Sequence, residues 1–458
     1  MTAYTSASSW SRVLLVAALV ASPAMAGAQS TAQSTAPGAK IALQDAIGIA
    51  LRQSVLVKQS ENAVASSENG VSQARNAFLP SLALNTSSAR SVGRAGTSSV
   101  GSSSSQSLNT GLSSSFTVFD GLRNVNELRQ ARLDVAANTS ELSRARQTAV
   151  FTVASNYLTL ATAEGQLAVQ KENLAQQEAQ EKQLQTLVKA GARSISDLYQ
   201  QQATTAAARA SVVSAEHDVE LARIALIQTL QLDPRGSYDF VAPTVRDVSG
   251  SVPKYDLDSL LSRAFASRSD LAAEQKRVEV AAVGTKAAAA SRLPTVSLST
   301  SYNASYNSAA ASALGAQLDQ NRGGSVSVGV SFPIFDKGAT SAAVQQAKIQ
   351  EENARLALAD QRQSVALDVR RAWLTLESTR QQLTVALAQQ KAADLAVSTT
   401  QARYQVGTST LLELTQARAS QLQANVAVVN ARNALAFQDA LLPYYTGELD
   451  PAKALLGA

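Results

Sequence analysis

Apolar positions along this chain follow two periods, each appearing twice. From Asp120 to Ala190 and again from Asp336 to Val406 they recur every three or four residues, in stretches of 71 residues rich in Ala, Leu, Gln, Glu, Lys and Arg. That spacing predicts helix. No proline interrupts the chain between Pro80 and Pro234, or between Pro333 and Pro443. At 1.5 Å per residue each helix would run about 105 Å, and an amphipathic helix of that length must pair as a coiled coil to bury its stripe. Gly191 and Gly407 stand where the two would end, as glycines just past a helix do. A second helix of about 35 residues with the same periodicity returns from each, so two long helical hairpins with glycine tips are predicted.

Upstream of each long helix the period drops to two. Val296, Leu298, Tyr302, Ala304 and Tyr306 alternate with Ser297, Ser299, Ser301, Asn303, Ser305 and Asn307; Val326, Val328, Val330 and Phe332 alternate with Ser325, Ser327, Gly329 and Ser331. The first half has Leu82 and Leu84, then Leu112, Phe116 and Val118, among Ser, Asn, Gly and Thr. Two strands of about ten residues per half are expected, the length with which a barrel strand crosses a membrane. The charges of these regions, Arg90, Arg94, Asp319 and Arg322, are assigned to the intervening loops. A half-buried soluble sandwich also alternates, but uncharged strands with one apolar and one polar face fit a lipid barrel better. Four strands cannot close one, so several copies must pool strands: two copies would enclose a lumen filled by side chains, three a water-filled bore.

The chain is written twice. Phe78-Leu79-Pro80-Ser81-Leu82 returns as Arg292-Leu293-Pro294-Thr295-Val296, Phe119-Asp120 as Phe335-Asp336, Tyr157-Leu158-Thr159-Leu160 as Trp373-Leu374-Thr375-Leu376, and Gly191 as Gly407. Two such long copies are a duplication rather than a solenoid. Arg12, the apolar run Val13 to Ala21, Pro23 and Ala24-Met25-Ala26 form a secretory signal. No later stretch is long and apolar enough for a membrane helix, which leaves a barrel as the only way into a bilayer.

Composition narrows the chemistry. The 458 residues contain no Cys and one His, which excludes disulfides, thiolate metal sites, cysteine nucleophiles and a lipid-modified N-terminal cysteine. His217, beside Glu216, Asp218 and Glu220, fits an exposed charged face better than a metal site. Asp256 and Asp258 precede an apolar run as a helix start. Lys+Arg 40 against Asp+Glu 35 is mildly basic with signs mixed, without the cationic stripe that nucleic acid requires. No catalytic set emerges, so the expectation is a protein that is not an enzyme and needs no cofactor or metal.

With these features the whole mature chain resembles the TolC family of outer-membrane factors. The likeness rests on IALQDAIGIALRQS and its relative LDSLLSRAFASRSDL, the FLPSL and RLPTV segments before the strands, and the Phe-Asp openings of the long helices. It rests also on the tips AGARSISDL and VGTSTLLEL. The resemblance implies a mainly α fold with a membrane β-barrel: a homotrimer with a twelve-stranded barrel in the outer membrane of a Gram-negative bacterium, and a periplasmic α-barrel of helical hairpins. The chain then divides into a signal peptide (1–28), repeat one (29–234: one helix, two barrel strands at about 81–118 and a long helical hairpin 120–232), an irregular inter-repeat equatorial linker (235–256), repeat two (257–450: one helix, two barrel strands at about 295–334 and a long helical hairpin 336–442) and a tail (451–458). The implied role is the exit duct of a tripartite efflux pump or type I secretion system, with a periplasmic adaptor, an inner-membrane transporter of RND, ABC or MFS type and outer-membrane lipid as partners. Carried over by position, the family's acidic rings fall on Glu413 and Gln416, so one charged ring is kept. Its gate tyrosine falls on Tyr404 and a repeat-one acid on Asp197, while the usual arginine of the second tip is replaced by Ser409 and Arg193 lies near the first tip. Gly191, Arg193, Gly407, Thr408 and Ser409 would form the adaptor-docking tips. The rival reading is a secreted, self-assembling coiled-coil filament.

Overall fold

The computed structural model describes residues 40–94, 102–241, 253–310 and 312–451. The signal peptide at 1–28, residues 29–39, the middle of the linker and the tail from 452 lie outside the described residues. In chain order the elements are β1 (Lys40–Ala42), α1 (Leu43–Gln53), α2 (Val55–Asn76), β2 (Ser81–Arg94), β3 (Ser102–Phe119), α3 (Arg123–Lys189) and α4 (Ile195–Thr229). The pattern then repeats as β4 (Asp239–Val241), α5 (Leu257–Ser267), α6 (Ser269–Ala290), β5 (Thr295–Asn307), a short α7 (Leu314–Gln320), β6 (Arg322–Ser331), α8 (Ala339–Gln405) and α9 (Leu411–Thr446). The duplication is visible in the lengths: α1 and α5 have 11 residues each, α2 and α6 22, α3 and α8 67.

Local chemistry sets the boundaries. Asp120 and Asp336 accept the Asn124 and Thr340 amides at 2.9 and 2.7 Å, satisfying donors at the start of α3 and α8. Asp256 caps α5 by accepting the Ser259 amide at 2.9 Å. Where one helix was expected upstream of each sheet segment there are two, because Ser54 (ψ 126°) and Arg268 (ψ 120°) are extended. Those breaks turn α1 and α5 out of line with α2 and α6. Pro443 does not end its helix either: α9 continues to Thr446.

Each long helix packs along its return partner, α3 on α4 and α8 on α9, and α3 also joins the repeats by packing on α6 and α9. The 67-residue helices run about 100 Å. One core gathers Ile41, Tyr157, Leu160, Leu226, Leu230 and Phe240; the other gathers Leu260, Val365, Val369, Leu376, Val428 and Leu435. Related residues do related work: the Tyr157 hydroxyl donates to the Ile41 carbonyl at 2.8 Å, and the Trp373 indole donates to the Tyr255 carbonyl at 3.0 Å. The linker is not wholly irregular, since β4 pairs in parallel with β1.

The four long strands form one antiparallel sheet in the order β2-β3-β5-β6, with β3 and β5 pairing across the repeats. Among the described residues β2 and β6 are open edges. The strands have 14, 18, 13 and 10 residues, so most exceed the expected ten. Three charges assigned to loops belong to strands: Arg90 and Arg94 lie in β2 and Arg322 opens β6, while Asp319 sits on α7. Alternation also breaks where a bulge at Val118 shifts the register, so that Phe119 rather than Val118 faces Val296.

A buried ionic network ties the end of α9 to α3, α6 and α8. Arg268 Nε donates to Asp270 at 3.0 Å, Arg144 lies 3.6 Å from the same carboxylate, and Gln361 donates to it at 3.1 Å. Arg144 Nη1 and Gln147 Nε2 donate to the carbonyls of Tyr444 and Gly447, both at 3.0 Å, receiving the end of α9. Burial raises the Asp270 pKa, but the Arg268 hydrogen bond and charge, with Arg144 and the Leu271 amide, outweigh it and hold the carboxyl below its ordinary value. Its folded pKa being depressed, its contribution is present above about pH 4, the unfolded value, and is lost as pH falls through the folded one. Asp270→Ala takes the shared carboxylate from Arg144 and Arg268, leaving Arg268 with Asp368 at 3.6 Å, and is expected to cost about 2–4 kcal/mol at pH 7. Thermal unfolding in detergent checks this, and the gap between variant and parent should close only below about pH 4.

Candidate functional site

The hairpin tips, some 100 Å from the sheet along the helices, bring together most of the residues that sequence analysis singled out. Both tips end the same way. Gly191 (φ +72°) and Gly407 (φ +80°) adopt the left-handed conformation that glycine alone takes without strain. Their amides donate to Val188 and Tyr404 carbonyls at 3.0 and 3.1 Å, and the following amides of Ala192 and Thr408 reach back to Leu187 and Arg403 at 2.9 Å each. This pair of hydrogen bonds closes the last turn of each helix. Ser194 and Thr410 then cap the returning helices by accepting the Ser196 and Glu413 amides at 3.1 and 3.2 Å.

The two tips are joined through Tyr404. Its ring is buried against Leu184, Leu411 and Leu414, with Leu198 alongside, so side chains of α3, α4, α8 and α9 meet there. The Arg193 guanidinium lies over that ring, 4.4 Å from its centroid, and Nη2 donates to the Tyr404 carbonyl at 2.9 Å. The arginine of the first tip thus clasps the tyrosine of the second. Burial raises the Tyr404 pKa, with Asp197 adding to the effect and Arg193 opposing it, and its hydroxyl has no hydrogen-bond partner among the described residues. Asp197 is half-buried in the first turn of α4.

Glu413 and Gln416 are exposed on α9. The Glu413 carboxylate accepts a hydrogen bond from the buried hydroxyl of Ser409, which links the residue in the arginine's place to the acidic position. Thr408 donates from its hydroxyl to the Arg403 carbonyl at 3.1 Å and closes the tip. His217 is exposed on α4, and among the described residues no group of three His, Cys, Asp or Glu could hold a metal.

Sequence analysis missed a polar layer just inside the tips. Arg418 is buried, donating at 3.4 Å to the side-chain oxygens of Gln180 and Gln401, and burial lowers its pKa against the opposing influence of Tyr404. Gln201 donates to Gln177 Oε1 at 2.8 Å, and Thr205 donates to the Gln201 carbonyl at 3.0 Å. The signal was present in the spacing: Arg418 follows Leu411 and Leu414 at seven and four residues, on the face that the helix buries. A guanidinium there needs polar partners from other helices. The tips hold the two hairpins together through Arg193 and Tyr404 and present the Glu413 carboxylate at the surface.

Comparison with known proteins adds to this geometry. The family model described as "Outer membrane efflux protein" matches residues 46–230 and 260–448. The outer membrane efflux protein BepC of Brucella suis is 25% identical over 332 residues, covering 72% of this chain and 70% of the relative. Among solved structures, CusC superposes with a TM-score of 0.77 at 17% identity, over 90% of this chain and 93% of CusC. VceC of Vibrio cholerae gives 0.74 at 19% identity, over 88% and 96%. The open state of the MtrE outer membrane channel of Neisseria gonorrhoeae gives 0.72 at 22% identity, over 90% and 91%.

The clasp can be dissected. Arg193→Ala removes a cation–π contact and a charge-assisted hydrogen bond and is expected to weaken the tips by about 1–3 kcal/mol. Hydrogen exchange should then quicken around both 184–198 and 401–414; a change confined to the first tip would show that the contact does not join them. Tyr404→Phe should shift stability by about 0.5 kcal/mol or less, since only an unpaired hydroxyl is lost, whereas Tyr404→Ala should cost about 3–5 kcal/mol.

Proposed function

The chain belongs to the outer membrane efflux protein family, and on that premise we propose that three copies form a passive exit duct for a tripartite efflux pump or type I secretion system. The observation that carries this reading is the open-edged sheet. Its apolar face, with Leu82, Leu84, Val326, Val328 and Val330 at 68–74% exposure, has no covering layer among the described residues. The opposite face is Ser, Asn, Gly and Ala. A sheet of that composition suits hydrocarbon outside and water inside, and lipid does not tolerate its unpaired edges. Pairing β2 of one copy with β6 of the next closes the sheet. Three copies of four strands give a twelve-stranded cylinder with an aqueous bore.

The helices support the same assembly. Ile349, Leu356, Leu367, Leu374 and Val385 follow one another at seven and eleven residues on α8, all exposed in the single chain. That spacing makes a straight apolar stripe along the helix, a seat for the neighbouring copy. The assembled hairpins form a periplasmic tunnel. At its mouth three Glu413 carboxylates make one acidic ring, Gln416 supplies no second one, and the Arg193–Tyr404 clasp holds the two hairpins of each copy together. The tips at Gly191, Arg193, Gly407, Thr408 and Ser409 dock a periplasmic adaptor, which links the duct to an inner-membrane transporter of RND, ABC or MFS type. Residues 1–28 direct export and are removed.

Because the chain has no native thiol, cysteines placed in pairs along β2 and β6 can report edge pairing. Oxidation of outer membranes is expected to yield crosslinked dimers and trimers, and crosslinks only within single copies would rule the closure out. In planar bilayers the purified protein should conduct, and Glu413→Gln should weaken block by multivalent cations about tenfold, corresponding to about 1.4 kcal/mol. Unchanged block would remove Glu413 from the mouth.

A further inference from the structure

The four long strands contain three charged residues, Arg90, Arg94 and Arg322, and no acid. Their placement is unusual for a barrel. A charge in such a sheet is expected on the water-facing side, yet Arg90 shares the phase of Leu82 and Leu84, and Arg322 that of Val326, Val328 and Val330. Both therefore lie on the apolar face. The opposite face, of Ser, Asn, Gly and Ala, carries no charge.

Their depth is equally specific. Ser81 and Ser331 mark the helical end of β2 and β6, and Arg90 and Arg322 each stand nine residues beyond it. At 3.4 Å per residue that is about 31 Å along the strand. A tilt of about 40° reduces this to roughly 23 Å of height, close to the far boundary of an apolar band about 25 Å tall. Tyr302 and Tyr306 lie on the same face toward the same end, as interfacial aromatics do.

The closure proposed above brings these arginines together. Once β6 of one copy pairs with β2 of the next, Arg322 and Arg90 occupy neighbouring strands about 4.8 Å apart, at comparable height on either side of the seam. Like charges so placed repel. Asp319 pairs with Arg322 at 3.1 Å, but both side chains are more than half exposed, so the pair is weakly held and a phosphate can compete for the guanidinium. We propose that each subunit seam is a binding site for the phosphorylated glycolipid of the outer leaflet, with Arg90 and Arg322 from adjacent copies gripping a phosphate and the apolar strands below receiving the acyl chains. Guanidinium groups suit phosphate because they donate in a planar fork, and a phosphate between them turns their repulsion into attraction. The site is incomplete in one copy, so this inference rests on the barrel reading.

The test uses delipidated, detergent-solubilised protein, native mass spectrometry and thermal unfolding, with bilayer conductance measured on the same preparation. Added bis-phosphorylated lipid A should bind, up to one per seam, and raise the unfolding temperature by several degrees. Dephosphorylated lipid A should bind at least tenfold more weakly, and inorganic phosphate should not reproduce the stabilisation. Arg90→Gln combined with Arg322→Gln should lose at least tenfold in affinity while conductance persists, and the Arg90→Lys, Arg322→Lys pair should recover part of it. Equal binding of the two lipids, equal binding by the Gln variant, or full replacement by free phosphate would overturn the site while leaving a conducting barrel. Absence of conductance in the parent protein would overturn the barrel and the site together.

Discussion

Backbone hydrogen bonding in a medium without water is the constraint from which the rest of this molecule follows. Strands β2 and β6 each present an edge of amides and carbonyls with no partner among the described residues, and hydrocarbon supplies none. Soluble proteins blunt such edges with charge, proline or a covering helix. Here the Leu, Val and Tyr side chains of the strands gather on one face, while the other carries only small, hydroxyl and amide side chains. That composition suits a sheet that is finished by other copies and wetted on one side.

The helical part answers a different demand, reach without bulk. Helices of 67 residues cannot stand alone in water, and many of their buried positions are alanine, which lets neighbouring helices approach closely. At the end of α9, Phe151 stacks on Tyr444 with centroids 4.3 Å apart, beside the ionic network that fixes α3, α6 and α8 around it. At the tips the contacts are fewer and more polar: one cluster around Tyr404, one arginine clasp and the buried amides with Arg418. Such a distribution makes the upper helices a firm frame and leaves the tips as the part with the least holding them.

What could be read in the sequence divides along the same line. The long helices, their glycine ends, the duplication and the two-faced strands were legible because each is a local or periodic property, expressed within a few residues or repeated at a fixed offset. The breaks at Ser54 and Arg268 were not, because an extended residue inside a helical pattern is chosen by packing against α3 and α8. The bulge at Val118 depends on the register with β5, and the placement of Arg90 within a strand rather than a loop depends on how far the hairpin extends. Family likeness marked Tyr404 and noted that Ser409 stands in place of the second tip's arginine while Arg193 lies near the first tip, but only the fold shows that Arg193 stacks on that tyrosine from the other hairpin. Arg418 had a visible spacing signal, hidden by the ordinary assumption that an arginine in an amphipathic helix faces water.

This physical account stands beside membership of the outer membrane efflux protein family and a fold shared with VceC and MtrE. Its central claim is that one chain carries only part of a cylinder. Native mass spectrometry of the detergent-extracted mature protein tests that claim most directly. The account predicts an assembly of three copies that survives removal of the detergent in the gas phase and separates only when the protein unfolds. A monodisperse single copy, soluble without detergent, would contradict it.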